Sequence, residues 1–283
     1  MLDLANFGAL AGPAIKSDAK RGGTIVMLGN VRDLFHYPVK GLNAQSLDHV
    51  QLEPNRGFPF DRVFGFARHD SGFDPNNPKP LAKSRFVVLA RDAVLATLDT
   101  RYDPTTGVLT LVNDETNGSF DINSSEGRAG AARLVGKHVG LISDKYPTLH
   151  ASDPHRFTDV SVDSTEMMNA VSLINADSVE YFAAQTGADI NVARFRGNIV
   201  FSGIPAMTEM DWVGREIAIG DSLLRVLRRT KRCAATQVNL ATGKRDHDVP
   251  KMLRDYFGHS DMGIYAEVIA GGPVCVGDTL TML

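Results

Sequence analysis

The stretch "EIAIGDSLLRVLRRTKRCAATQVNLATG" (216–243) carries both the architecture and the chemistry of this chain. Its first half reads as two short strands about the Gly220-Asp221 turn, with apolar and polar residues alternating as a half-buried strand requires. Its second half gathers Arg225, Arg228, Arg229, Lys231 and Arg232 beside Cys233, one of only two cysteines. Simple alternation sends Leu224, Val226 and Arg228 to one face and Arg225, Leu227 and Arg229 to the other. No apolar core accepts so many cations, so the end of this strand is read as lining a polar cleft or facing water.

Working outward, strand patterns dominate. "GVLTLVND" (107–114) alternates, and Asn117-Gly118 behind it reads as a hairpin turn. "RFVVLARDAVLATL" (85–98), "RGNIVFSG" (196–203) and "MGIYAEVIAGGPVCVGDTLTML" (262–283) read as further short strands. Two segments read as helices. "ADSVEYFAAQTG" (176–187) ends at Gly187, and "DVPKMLRDYFG" (248–258) has Pro250 in its first turn and Gly258 past its end. Many short strands with few helices give a mixed α/β chain, mainly β, built on a β-barrel rather than on βαβ units. The polar stretch 150–169 separates a front half from a back half, with the boundary near 145–150.

Composition narrows the function. The chain is 43% hydrophobic and 22% charged with a net charge of −3, which argues against a general nucleic-acid binder. No apolar run reaches the roughly 18 residues a membrane crossing needs, so a cytoplasmic protein is expected, with no membrane or nucleic-acid partner. Two cysteines are too few for a disulfide scaffold, a four-cysteine zinc site or an ordinary iron–sulfur cluster. Dinucleotide-binding, P-loop, zinc-protease and nucleophile-elbow motifs are all missing from the sequence. If the chain does redox chemistry, its electrons come from elsewhere.

Adjacent cations favour a thiolate, which is both a nucleophile and a soft metal ligand. Forked guanidinium groups also suit phosphate. The basic run therefore points to a phosphorylated cofactor or substrate beside Cys233. The competing reading is a solvated edge strand guarded by Lys and Arg. Elsewhere, Lys40 precedes Gly41 in "FHYPVKGLNA" (35–44), and Asp61-Arg62 sits among phenylalanines in "GFPFDRVFGFARHD" (57–70). Arg194, Arg196 and Asn198 alternate in "RFRGNIVFSG" (194–203) and are expected on one strand face.

Taken in order, "YPVKGL", "GFPFDRVFGF", "NADSVEYF", "RFRGNIVFSG", "DWVGREIAIGD", "TKRCAATQVNLATG" and "GIYAEVIAGGPVCVGD" resemble successive blocks of the MOSC family. The likeness is strongest to the subgroup of the mitochondrial amidoxime-reducing component and its bacterial relatives. It implies an extension over 1–23, a β-rich N-terminal MOSC-associated domain over 24–147 and a MOSC β-barrel over 148–283. It also implies the molybdenum cofactor, with Cys233 as molybdenum ligand and catalytic centre. Lys40, Gly41, Arg62, Asn175, Arg196, Asn198, Lys231 and Arg232 would hold the pterin and its phosphate, and Asp211 would donate protons.

The resemblance implies reduction of N-oxygenated small molecules, with a separate ferredoxin- or flavin-type electron donor. The alternative is a sulfur carrier with a persulfide on Cys233, and family-level descriptions extend to pyridoxal phosphate binding. Departures accompany the likeness. Gly41 stands where relatives carry a hydroxyl residue, Asn175 and Lys231 where they often carry serine, and Met210 interrupts an acidic pair.

Overall fold

A computed structural model describes residues 28–283. The extension expected over 1–23, and residues 24–27 of the expected N-terminal domain, lie outside the described residues. The chain begins with β1 (Leu28–His36), β2 (Gln45–Leu47), β3 (His49–Leu52) and β4 (Phe64–Ala67). A meander of β5 (Asp99–Asp103), β6 (Val108–Val112) and β7 (Asn117–Asp121) leads into α1 (Ser125–His138). There follow β8 (Thr148–Ala151), α2 (Thr165–Met168), β9 (Val171–Asn175), α3 (Ala176–Thr186) and β10 (Ile199–Ser202). The chain closes with β11 (Glu216–Ile219), β12 (Ser222–Lys231), α4 (Val249–Phe257), β13 (Asp261–Ala270), β14 (Gly272–Cys275) and β15 (Thr279–Met282).

Seven strands close a barrel in the order β10-β9-β13-β12-β11-β15-β1, sealed by antiparallel pairing of β1 with β10. Neighbours are antiparallel except β9 and β10, which run parallel because α3 carries the chain across between them. The barrel core holds Leu34, Leu173, Phe201, Ile217, Leu224 and Ile264, all essentially inaccessible to water. Burying side chains of this size contributes about 1.5–3 kcal/mol each. A second core lies under the meander, where Leu109 and Leu111 of β6 face Ala131 and Val135 of α1.

The sheets do not respect the 147/148 division of the sequence. Strand β1 belongs to the barrel, β3 pairs with β14, and β8 pairs back to β4. The halves are therefore laced together, which fixes the groups along their seam.

Several local expectations hold. Gly187 and Gly258 end α3 and α4 in the left-handed conformation at φ of 66° and 76°. Others do not. Residues 85–98 form no strand: a single bridge links Ala67 to Phe86, and 93–97 make a 3₁₀ turn. The meander turn falls at Asn113–Thr116, so Asn117 and Gly118 are the first residues of β7. Helix α1 lies in a glycine-interrupted stretch of weak periodicity, and Ser124 starts it by accepting from the Gly127 N–H at 3.0 Å.

One buried polar cluster stabilises the join of α3 to the barrel. Asn175 caps α3 by accepting from the Asp177 N–H at 3.1 Å, and donates through Nδ2 to Ile204 O and Glu209 Oε2 at 3.2 Å. Ser178 Oγ donates to the same Glu209 oxygen at 2.9 Å, while Glu209 Oε1 has no partner. Glu209 is fully buried, and burial raises its carboxyl pKa. A carboxyl with a raised folded-state pKa binds its proton more tightly folded than unfolded. The stability it contributes is present below the ordinary glutamate range and lost as pH rises through the folded value. Glu209→Gln should therefore melt higher than the unaltered protein at pH 8 and lose that advantage at pH 4, as thermal melts at the two pH values will show.

Candidate functional site: a cation-lined cavity in the seam

A cavity of about 460 Å³ opens between the barrel and the N-terminal half. Its barrel wall is the end of β12 with the turn after it. Cys233 follows β12 and heads the 3₁₀ turn Ala234–Gln237, whose Thr236 donates to the Cys233 carbonyl through both N–H and Oγ1. Downstream, Val238 is buried in the meander core, and Arg245 donates to Ala234 O and Ala90 O. The cysteine loop is thus clamped from both halves. Its thiol is free and half-buried.

The opposite wall comes from the turn after β1 that carries Lys40 and Gly41, the 57–62 loop and a strap over residues 152–164. Tyr37 follows β1, and its ring lies between two guanidinium groups, Arg62 and Arg196, each 4.3 Å from its centroid. Asp61 accepts from the Tyr37 N–H at 2.9 Å and from Arg62 Nη1 at 2.5 Å. Arg62 Nη2 donates to Arg196 O at 3.2 Å, and Arg196 Nη2 to Leu42 O at 2.8 Å. Arg62 and Arg196 both take left-handed backbone, at φ of 48° and 54°. Such backbone is costly away from glycine and concentrates at functional sites.

Lys40 is buried against the strap. Its ammonium donates to Phe157 O at 2.8 Å and pairs with Asp159. Lys83 reaches the other Asp159 oxygen at 3.5 Å and lines the same cavity as Cys233. Burial lowers the Lys40 pKa, only partly offset by Asp159. For Asp159 burial alone would act upward, but Lys40 and Lys83 hold the carboxyl well below its usual range. Burial likewise acts downward on Lys83, and the Asp159 and Cys233 charges outweigh it. Burial pushes Arg196 and Arg232 down to about 10.

The sequence-derived candidates sort cleanly on this geometry. Lys40, Gly41, Arg62, Arg196, Asn198, Lys231, Arg232 and Cys233 all line the cavity. Two candidates do not line it. Asn175 is a helix cap spent on the Glu209 cluster, and Asp211 is an exposed residue whose carboxylate meets Arg229 at 3.1 Å. Neither faces Cys233, because one is sealed beneath α3 and the other lies on the outer rim.

The expected shared strand face for Arg194, Arg196 and Asn198 is also corrected. Arg194 lies in a 3₁₀ turn, Arg196 ends it, and β10 begins only at Ile199. The three still reach one cavity, although Arg194 is neutralised by a two-pronged pair with Asp246 at 2.7 Å.

The alternation through β12 also breaks. A bulge at Leu227 pairs Val226 with Ala266 but Arg228 with Tyr265, so Arg228 crosses to the face opposite Val226. There its guanidinium lies 5.8 Å from the Tyr265 ring. Strand β12 has β11 on one side only through Ser222–Arg225, so Arg228, Arg229 and Lys231 pair with β13 alone. Arg225 alone stands apart, paired with Glu216 at 3.0 Å and Glu267 at 3.3 Å.

Sequence reasoning missed Lys83, Asp159, Asp163 and Tyr265. Lys83 and the two aspartates sit in irregular polar segments with no periodicity, and their proximity to Cys233 is purely tertiary.

The donor inventory shows what this cavity can hold. An ammonium has three N–H donors, and Lys40 spends two on Phe157 and Asp159. Arg62 and Arg196 likewise keep N–H groups beyond those bonded to protein. Arg232 commits three of its five N–H groups, donating through Nε and Nη2 to Met262 O and through Nη1 to Phe195 O. The Asn198 amide mostly staples strands, accepting from Ser172 N–H and donating to Phe35 O. Gly41 is required sterically: at φ of 86°, a Cβ there would sit 2.8 Å from Val88 Cα and 2.9 Å from Val87 O. A hydroxyl side chain at this position does not fit the present backbone. Among the described residues no group of three or more His, Cys, Asp or Glu could hold a metal by itself. The arrangement suits an anionic ligand that brings most of its own metal ligands and takes one thiolate from the protein.

Comparison with known proteins places the chain. The model of the MOSC domain matches residues 148–281, and that of the MOSC N-terminal beta barrel domain matches residues 28–144. A molybdenum cofactor sulfurase from Caenorhabditis briggsae is 25% identical over 248 residues, covering 84% of this chain and 33% of that protein. The chain thus spans about a third of that relative's length. Among solved structures, the YuaD protein from Bacillus subtilis aligns with a TM-score of 0.42 at 12% identity, over 91% of this chain and 97% of that one. YiiM from Geobacillus stearothermophilus aligns with a TM-score of 0.32 at 22% identity, over 40% of this chain and 53% of that one. With both family models in sequence across nearly all of the described residues, the chain belongs to the MOSC-domain family.

Proposed function

We propose that this protein is a molybdenum-cofactor-dependent oxidoreductase that removes oxygen from N-oxygenated small molecules, supplied with electrons by a separate ferredoxin- or flavin-type reductase. One observation carries the reading. A single free thiol sits in a cavity whose cations, the buried Lys40 and the half-buried Arg62 and Arg196, still have N–H donors to offer. That donor set matches a phosphorylated cofactor with a soft metal, and proteins of this family are associated with the molybdenum cofactor.

When bound, the cofactor supplies a two-electron metal centre able to accept an oxygen atom. The chain's own residues bind and orient it. Cys233 would be the protein ligand to the metal, held by the clamped turn after β12. Lys40, Arg62 and Arg196 would hold the phosphate and pterin, with both guanidinium groups placed against the Tyr37 ring. Arg232 and Asn198 line the same cavity and also fix the backbone around Arg196 and Cys233. Lys83 sets a positive charge near the sulfur, its proton held by the neighbouring Asp159 and Cys233 charges.

Protein isolated from a host that makes the cofactor should contain stoichiometric molybdenum and pterin, and Cys233→Ala should lose the metal. Molybdenum well below stoichiometric, and unchanged in Cys233→Ala, would overturn the reading. Lys40→Met should weaken pterin retention about ten- to hundredfold, the effect of losing one hydrogen bond to a charged group. Pterin fluorescence after dialysis measures this directly.

A second reading is favoured by Lys83 beside Cys233 and by the relative described as a molybdenum cofactor sulfurase: a persulfide carrier. The same cation would stabilise a persulfide anion. Intact mass should then show one additional sulfur, removed by reductant and absent in Cys233→Ala.

A further inference from the structure

The basic groups of the cavity fall into two tiers. The inner tier, the buried Lys40 with the half-buried Arg62, Arg196 and Arg232, is bonded to protein carbonyls and to Asp61 and Asp159. The outer tier, Arg228, Arg229 and Lys231, lies at the solvent end of β12. The inner tier suffices for one phosphorylated ligand, which leaves the outer tier without a role in holding it.

Beyond Arg225 strand β12 pairs with β13 alone, and all three outer-tier residues line the cavity there. The bulge at Leu227 is what turns Arg228 into the cavity beside Tyr265, and an unbroken strand would have put it on the opposite face. Arg229 is steered by donation from Nε to Met210 O at 2.6 Å, which leaves its terminal nitrogens outward. Lys231 has no carboxylate within ion-pairing distance among the described residues.

The counter-charges of this tier are exposed and weakly held. Arg228 pairs with Asp163 of the strap at 2.6 Å, with the two side chains 44% and 42% accessible. Arg229 pairs with Asp211, which is 84% accessible. Ion pairs this open contribute little, because water and salt screen them. They hold two guanidinium forks in place at the mouth and yield to a ligand that offers a better-aligned oxyanion.

We propose that Arg228, Arg229 and Lys231 form an anion-selecting entrance, so that the small molecule entering this cavity carries a carboxylate or similar oxyanion beside its reducible centre. Asp163 is the built-in competitor that an entering anion displaces from Arg228. This rests on the oxidoreductase reading only for the reducible centre. The selection itself is a property of the chain.

The test uses a matched pair of probes, benzamidoxime and its 4-carboxylate derivative, titrated calorimetrically into the full-length protein at low salt. The carboxylate should bind at least tenfold more tightly than the neutral compound, with the difference shrinking as salt is raised. Arg228→Ala should abolish most of that difference and leave the neutral probe unchanged, whereas Asp163→Asn should tighten the carboxylate alone. Equal affinity for the two probes, no measurable carboxylate binding, or a carboxylate preference indifferent to both substitutions would overturn the proposal. Molybdenum content decides the oxidoreductase reading separately, so either can fail while the other stands.

Discussion

Keeping Lys40, Arg62, Arg196 and Arg232 charged in a seam sheltered from bulk water is the constraint on which this structure turns. Taking a charged group out of water costs several kcal/mol unless partners replace its hydration. Here the replacement comes from both halves of the chain. Arg62 draws on Asp61 and on Arg196 O, Arg196 on Leu42 O, Lys40 on Phe157 O and Asp159, and Arg232 on Met262 O and Phe195 O. The bonds of Arg62 to Arg196 O, Arg196 to Leu42 O and Lys40 to Phe157 O and Asp159 tie one half to the other or to the strap. The barrel and the meander domain are therefore held in register by the same groups that create the site.

This explains features that would be liabilities elsewhere. Arg62 and Arg196 accept left-handed backbone because it brings both guanidinium groups onto Tyr37. Gly41 accepts contact with the Val87 and Val88 backbone because only a residue without Cβ lets Lys40 enter the seam from that turn. The strap needs Arg156, whose guanidinium donates to Phe58 O at 2.7 Å and Asp61 O at 2.9 Å, to stay against the 57–62 loop. Without it Asp159 could not be held over two lysines.

What the sequence made legible follows from how local each cause is. Cys233, Lys40, Arg62 and Arg196 stood out because a lone thiol, a lysine before a turn glycine and arginines among apolar residues are anomalies visible in short windows. The capped helices α3 and α4 were legible for the same reason. The bulge at Leu227 was not, since nothing in "RVLRR" distinguishes a regular strand from one that skips a residue. Helix α1 was hidden by Gly127, Gly130 and Gly136, which weaken helix propensity yet permit close approach to Asp121 O, Phe120 and Tyr146 respectively. Asn175 was misplaced because a residue at a family site position and a helix cap look alike until the side chain's partner, Glu209, is known. Asp211 was misplaced because an acid near a site in sequence need not face it.

Lys83 and Asp159 show the limit most sharply and also say something about mechanism. They come from segments more than seventy residues apart and meet only because the strap crosses the seam. Asp159 joins Lys40 of the inner tier to Lys83 beside Cys233, so any ligand that draws Lys40 toward itself changes the charge balance at the thiol. Electrostatic influence of this kind acts over short distances in a poorly solvated cavity. The carboxylate thus couples the group that would hold a phosphate to the group that would hold a metal. Replacing it with a neutral residue would leave two lysines unpaired and facing each other, and the seam would have to open or take up an anion to relieve the repulsion. A cavity with that property is built to be filled by negative charge.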